Sequence, residues 1–303
     1  MFLCRRLPSF ALFLLALGGL GGCDSSGYRR SAGQWRHGDV AFTPEDPATF
    51  KPLDGRFARD ARRGYFLGAM VADSDGASFA VISEHEARDR YAVYYCDTYR
   101  KGQEYWLIQH LSVARIDGAD PASYTAIGRG HARDARRVYF QGRAFAARDP
   151  ASFEPLDGNF GRDAQRGYYA RQEIAGSDGP TFEVIADNDT AYARDRRQGY
   201  YAFADIDGEG EGETGDGDKR GAGRTPNTRV PDIVRVLRTR DVAAIRVLGR
   251  GYAADADKVW YRGRVLQGAD PATFASDASY QAGLDATDRS GPWQQGRRVG
   301  AAP

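Results

Sequence analysis

The chain predicts an all-β repeat protein of small β-meander or hairpin units joined by single helical turns. An elongated or solenoid-like array is favoured, with β-propeller-like closure as the alternative, because irregular repeat spacing extends loops more easily than it distorts blades. Three observations predict this class. An aspartate is followed five residues later by an aromatic seven times, at Asp60/Tyr65, Asp89/Tyr94, Asp134/Tyr139, Asp163/Tyr168, Asp195/Tyr200, Asp255/Trp260 and Asp288/Trp293. A second motif, Asp-Pro-Ala-Thr/Ser-aromatic, alternates with the first at Asp46, Asp120, Asp149 and Asp270, with looser copies at Asp75, Asp178 and Asp241. The shortest period is 29 residues, seen from Asp60 to Asp89 and from Asp134 to Asp163. A residue that recurs in every unit is expected to serve the scaffold, since a reaction centre is needed only once.

At the N-terminus, Arg5 and Arg6 precede an apolar run from Phe10 to Leu20. That run is short for a spanning helix, which needs about 20 residues. A basic start, a short apolar middle and small residues at the end describe an export signal over 1–22. Leu20-Gly21-Gly22-Cys23 resembles a bacterial lipobox. The resemblance implies that Cys23 becomes the first mature residue and carries acyl chains such as palmitate. Several chains anchor more firmly than one. It also implies a periplasm-facing protein of the cell envelope, and Asp24 tilts the choice towards the inner membrane. The polar residues of 23–44 are expected to form a flexible tether.

Repeats 1–5 are expected over 45–204. In the Asp-Pro-Ala-Thr/Ser-aromatic piece, Asp suits a helix N-cap and Pro the first helical position. The pairs Phe50/Leu53, Phe79/Ile82, Phe153/Leu156 and Phe182/Ile185 are spaced to share one face of a helical turn. In the second piece, aromatics flank a polar segment, which predicts two strands joined by a turn that the aspartate begins. Gly64, Gly167 and Gly199 are expected in the left-handed conformation. Further turns are expected at Gln141-Gly142 and Arg262-Gly263. Asp255 to Tyr261 and Asp134 to Phe140, each followed by a Gly turn, resemble the DKNYY repeat family. The resemblance runs over roughly Asp46 to Phe274, although Ala-Arg or Arg-Arg mostly replaces the Lys-Asn of the family pattern. It implies a β-repeat architecture and no particular chemistry.

Functional candidates lie where the repeat is interrupted. The insertion 96–115 holds Tyr99, Tyr105, Trp106 and His110, which suit either an extended hairpin packing its own aromatics or a stacking surface for a peptide or sugar. Arg59, Arg88, Arg133, Arg162 and Arg194 precede the repeat aspartates and would align as a stripe. Such a stripe either pairs with neighbouring acids or meets an anionic polymer or head group. The acidic, Gly-rich stretch 205–232 is either a flexible loop or a calcium loop. Asp205, Asp207, Glu209, Glu211 and Asp216 fall near EF-hand ligand positions, without readable flanking helices. Repeat 6 and a degenerate repeat 7 fill 233–303.

Composition narrows the function classes. Loss of Arg5 and Arg6 leaves 40 basic against 41 acidic residues, without the basic excess of nucleic-acid binders. Of three cysteines, Cys4 lies in the signal and Cys23 is the lipid site, so Cys96 has no partner for an internal disulfide and suits a small buried hydrophobe. None of the four histidines has metal-ligand spacing, and His131 occupies a repeat slot held elsewhere by Phe57, Phe160, Tyr192 and Tyr252. No nucleophile elbow, Cys-x-x-Cys or phosphate loop occurs. The expected protein is a non-catalytic envelope lipoprotein, a scaffold or binding module with a protein partner favoured. The alternative is glycan binding or glycan hydrolysis. No cofactor is expected beyond the candidate calcium.

Overall fold

The computed structural model describes residues 27–100, 109–185, 192–203, 233–276 and 284–300. Among these the protein is nearly all β, with eight small antiparallel sheets, seven of four strands and one of three. None closes into a barrel, and the helical content is two 3₁₀ turns, Gly179–Thr181 and Val242–Ala244. The chain divides into two compact units, Met1–Val81 and Ile82–Pro303.

In the first unit, sheet one is Tyr28–Ser31, Gln34–His37 and Val40–Phe42. Sheet two is Lys51–Pro52, Phe57–Arg59, Gly64–Phe66 and Ala69–Val71. Sheet one replaces the tether expected over 23–44 with strands between Tyr28 and Phe42, and 23–26 lie outside the described residues. The segment is polar on average, but Tyr28, Trp35 and Phe42 recur seven residues apart and surround Phe50 with ring centroids at 5.8, 4.5 and 5.6 Å. Mean polarity hid three well-placed rings. Tyr28 and Phe50 are buried and Trp35 and Phe42 half-buried, and since full burial of such a side chain contributes roughly 1.5–3 kcal/mol, the cluster helps to order a short meander.

In the second unit, sheet three runs Ala80–Ser83, Glu86–Arg88, Val93–Tyr99 and His110–Arg115, and the division between the units falls within its first strand. Sheet four is Thr125–Gly128, His131–Arg133, Val138–Phe140 and Arg143–Phe145. Sheet five is Glu154–Pro155, Phe160–Arg162, Gly167–Tyr169 and Gln172–Glu173. Sheet six is Glu183–Val184, Tyr192–Arg194, Gly199–Phe203 and Ile233–Leu237. Sheet seven is Arg246–Gly249, Tyr252–Ala254, Val259–Tyr261 and Arg264–Val265. Sheet eight is Ala275–Ser276, Ala286–Asp288, Gly291–Gln294 and Arg297–Arg298.

The core is distributed rather than central. Within each unit, the turn between consecutive sheets delivers one apolar plug that touches the sheet behind it and the sheet ahead. Phe182 lies 5.8 Å from Phe160 and 5.6 Å from Tyr200, and Phe274 lies between Tyr252 and Trp293. Such nearest-neighbour packing is what a repeat unit needs, since it cannot bury its apolar face alone. The plug does not share a helical turn with the aliphatic three residues on, as the spacing predicted. Phe50 ends the turn, a strand begins at Lys51, and the Leu53 and Asp54 N–H groups both reach the Phe57 carbonyl across the next hairpin. Helical spacing over four residues cannot distinguish one turn from a turn followed by a strand.

Two classes of glycine also separate. Gln141 and Gly142 take φ of 49° and 70°, and Arg262 and Gly263 take 47° and 74°, the two-residue hairpin geometry that demands glycine at the second position. Gly64, Gly167 and Gly199 are not left-handed. Each opens a strand directly beneath the next plug, where a Cβ would come within 2.4 Å of the Phe79 ring, 2.4 Å of the Phe182 ring and 2.5 Å of Ile245. There glycine is required by packing, not by backbone conformation.

Candidate functional site

The repeat aspartates are the most polar buried groups of the fold, so their partners decide whether they are chemistry or scaffold. Asp163 Oδ1 accepts the Gln165 and Arg166 N–H groups, both at 2.8 Å, which makes the turn. Asp163 Oδ2 accepts the Tyr168 hydroxyl at 2.6 Å and the Asp149 N–H at 2.9 Å. Asp60 repeats the pattern with Arg62, Arg63, Tyr65 and Asp46, and Asp134 with Arg136, Arg137, Tyr139 and Asp120. One carboxylate thus closes a turn, holds a strand ring and fixes the preceding plug. Burial opposes its charge, but the tyrosine hydroxyl and three backbone N–H groups outweigh that, holding Asp60, Asp134 and Asp163 below the ordinary carboxylate range. Burial and the bonded carboxylate push Tyr65, Tyr139 and Tyr168 above the ordinary phenol value. Neither group is poised to exchange a proton near neutrality.

The remaining repeat residues are committed in the same way. The Ser or Thr of the plug motif accepts the N–H that follows the next aspartate, as Ser152 Oγ does from Ala164 at 2.9 Å and Thr273 Oγ1 from Arg289 at 3.0 Å. The arginine stripe is absorbed too. Arg59 donates to the Ala77 carbonyl at 2.6 Å, Arg88 to Pro121 at 2.9 Å, Arg133 to Ala151 at 2.6 Å, Arg162 to Phe182 at 3.1 Å and Arg194 to Ala243 at 3.1 Å. Arg162 and Arg194 also pair with Glu154 and Glu183. These arginines cap the carbonyls of the next plug turn, and pairing with acids is the minor part of their work.

The repeat plan is extended on sheet three. Its third strand continues past the usual length to Tyr99 and pairs with His110–Arg115 in the register Tyr95↔Ala114, Asp97↔Ser112 and Tyr99↔His110. Side chains directly across an antiparallel pair share a face. Tyr99 and His110 stack at 5.1 Å and 23°, and Tyr99 is 49% exposed. The hairpin therefore brings two of the four predicted contact residues together. Tyr105 and Trp106 lie outside the described residues. So do Cys23 and the candidate calcium ligands Asp205, Asp207, Glu209, Glu211 and Asp216. Cys96 is fully buried, and burial pushes its thiol up to about 12, as suits a packing residue.

Sequence reasoning missed Glu86, which fills the slot that Phe57 and Phe160 hold in their sheets. It is buried, accepts the Tyr124 hydroxyl at 2.6 Å and accepts Ser83 Oγ at 2.9 Å. The available signal was a glutamate two residues before Arg88, where the units of Asp60, Asp134, Asp163, Asp195 and Asp255 carry a ring. His85 was missed as well. Its Nδ1 lies 3.1 Å from the Cys96 carbonyl and 3.4 Å from Asp97, its Nε2 lies 3.0 Å from Glu84, and its ring stacks on Tyr95 at 5.9 Å.

Fold and site together define a modular β-repeat protein whose recurring polar residues are structural. Residues 37–159 match the DKNYY family, a stretch that holds the nodes at Asp60, Asp89 and Asp134 and the whole extended hairpin. The same node geometry continues beyond it at Asp163 and Asp195. No curated protein matches the chain, and neither does any solved structure.

Proposed function

We propose that the protein is a non-catalytic, lipid-anchored module of the cell envelope that binds a protein partner through the extended hairpin of sheet three. One observation carries this reading. The recurring Asp, Tyr, Arg and Ser/Thr side chains are bonded within the scaffold, whereas the hairpin adds a surface that the fold does not require. Aromatics such as Tyr99 supply contact area at low entropic cost, which suits a binding surface. Anchoring rests on Cys23 and the export-type leader, and the periplasmic face of the inner membrane is the proposed location. A photo-crosslinking amino acid placed at Tyr99 in cells tests the binding claim. It should trap a discrete protein adduct that survives glycan digestion, while the same amino acid at exposed Val265 on sheet seven should not. Equal trapping at both positions, or adducts lost on glycan digestion, would overturn it. Cys23→Ser should abolish palmitate labelling and release the protein from membranes.

A further inference from the structure

We infer that a cleft along the extended hairpin takes an acidic peptide in an extended conformation. The inference rests on the binding-module reading above and names the chemistry of its partner. The cleft arises because two neighbouring hairpins differ in length. The Gln141-Gly142 turn of sheet four sits on Tyr95 so closely that a Cβ on Gly142 would lie 2.5 Å from Tyr95 Cβ and Cγ. Beyond that contact the strand runs on to Tyr99, so its outer half overhangs the turn. The resulting cleft holds about 460 Å³, within the range of ligand sites. Tyr95, Asp97 and Tyr99 form one wall, and Arg115, Arg143 and Arg171 line it from the root of the hairpin and from sheets four and five.

Charge selects an acidic partner. Among the described residues, the guanidinium-bearing Arg143 and Arg171 line the cleft against one carboxylate, Asp97, which is already engaged. It accepts the Thr98 N–H at 2.7 Å and lies 3.4 Å from His85 Nδ1. Arg115 donates to the Tyr91 carbonyl at 3.3 Å and Arg171 also has a partner of its own, and a guanidinium fork carries five donors, more than one contact uses. Guanidinium groups bind carboxylates in paired, planar geometry.

Two further observations favour a peptide over an acidic polysaccharide. Sugars stack on open ring faces, but Tyr95 is covered by Gly142 and by His85, and Tyr99 already stacks on His110. In addition, His110–Arg115 is the outer strand of its sheet. The Ile116 N–H bonds inward to Val93, so alternation turns the backbone groups of Leu111 and Val113 outward, with no strand beside them among the described residues. An extended peptide can use such groups, with its own side chains reaching the arginines.

The test uses the full chain in detergent and two labelled ten-residue peptides, alternating Asp-Thr and alternating Lys-Thr, read by fluorescence anisotropy. The acidic peptide should bind at least tenfold more tightly than the basic one at low salt, and binding should weaken as salt rises. R143E/R171E should reduce it at least tenfold, and the milder R143Q/R171Q should reduce it in the same direction, both with an unchanged melting curve. R246E, a charge reversal on an exposed residue of sheet seven, should leave it unchanged. Equal binding of both peptides, or full binding by the melted-curve-matched R143Q/R171Q, overturns the inference. So does binding of polygalacturonate without binding of the acidic peptide. If Tyr99 still traps a protein in cells while the acidic peptide fails to bind, the cleft chemistry falls and the binding-module reading stands.

Discussion

Sheets five and three are built on one plan and end differently. In sheet five the Asp163 carboxylate is saturated by four donors, Phe160 packs on Tyr169 and Phe182, and the final strand stops after Glu173. In sheet three Asp89 makes the same turn and holds Tyr94 at 2.8 Å, but Glu86 replaces the ring, and the last two strands run to seven and six residues. The difference teaches where variation is tolerated. The node cannot change without leaving several buried donors unpaired, whereas the strand tips project beyond the node and can lengthen freely. The slot between them accepts a carboxylate only because Tyr124 and Ser83 supply hydroxyls to it.

The contrast can be broken most forcefully at the node. Asp163→Ala removes the acceptor of four hydrogen bonds and should cost about 3–5 kcal/mol in urea unfolding. A loss below about 1 kcal/mol would show that the nodes are not what holds the units together. A smaller and pH-dependent effect is expected at His131, which is buried against Phe140 and Phe153, with Nδ1 near the Arg129 carbonyl and Nε2 without a partner. Burial pushes its pKa down from 6.5 to about 4. The unfolded chain therefore takes up a proton between those values that the folded chain refuses, so stability falls as pH drops through that window. His131→Phe should remove up to about 3 kcal/mol of this loss by pH 4. The Asp60, Asp134 and Asp163 contributions, from carboxyls held below their usual range, are lost only at lower pH, which keeps the two effects separable. An unchanged slope in His131→Phe between pH 6.5 and 4 would remove the imidazole from the account. The smallest effect is expected on the overhang, where Tyr99→Ala should shift unfolding by no more than about 0.5 kcal/mol. A larger loss would mean that the hairpin tip is part of the scaffold.

Much of the unit was legible because its signals are local. Asp60 and Tyr65, or Asp163 and Tyr168, are five residues apart, and the turn between them uses the aspartate as expected. The hydroxyl that returns from the tyrosine to the same carboxylate was not foreseen, since spacing alone does not say which way a ring's polar end points. Sheet one was lost in the average polarity of its segment. The role of Gly64 and Gly167 was misread because the ring that excludes a Cβ comes from the following plug, 15 residues on in each case. The arginine stripe looked like surface charge because its carbonyl partners lie 18 to 49 residues further along the chain.

The sequence by itself determined the repeat, the β class, the turn-forming role of each aspartate and the burial of each following ring. These depend on contacts within a few residues, which composition and spacing encode directly. Only the tertiary structure decided which polar groups remain for function. That depends on how one unit's plug, arginine and turn meet the next unit. It also depends on the mismatch in length that leaves Tyr95, Asp97 and Tyr99 standing beyond the Gln141-Gly142 turn.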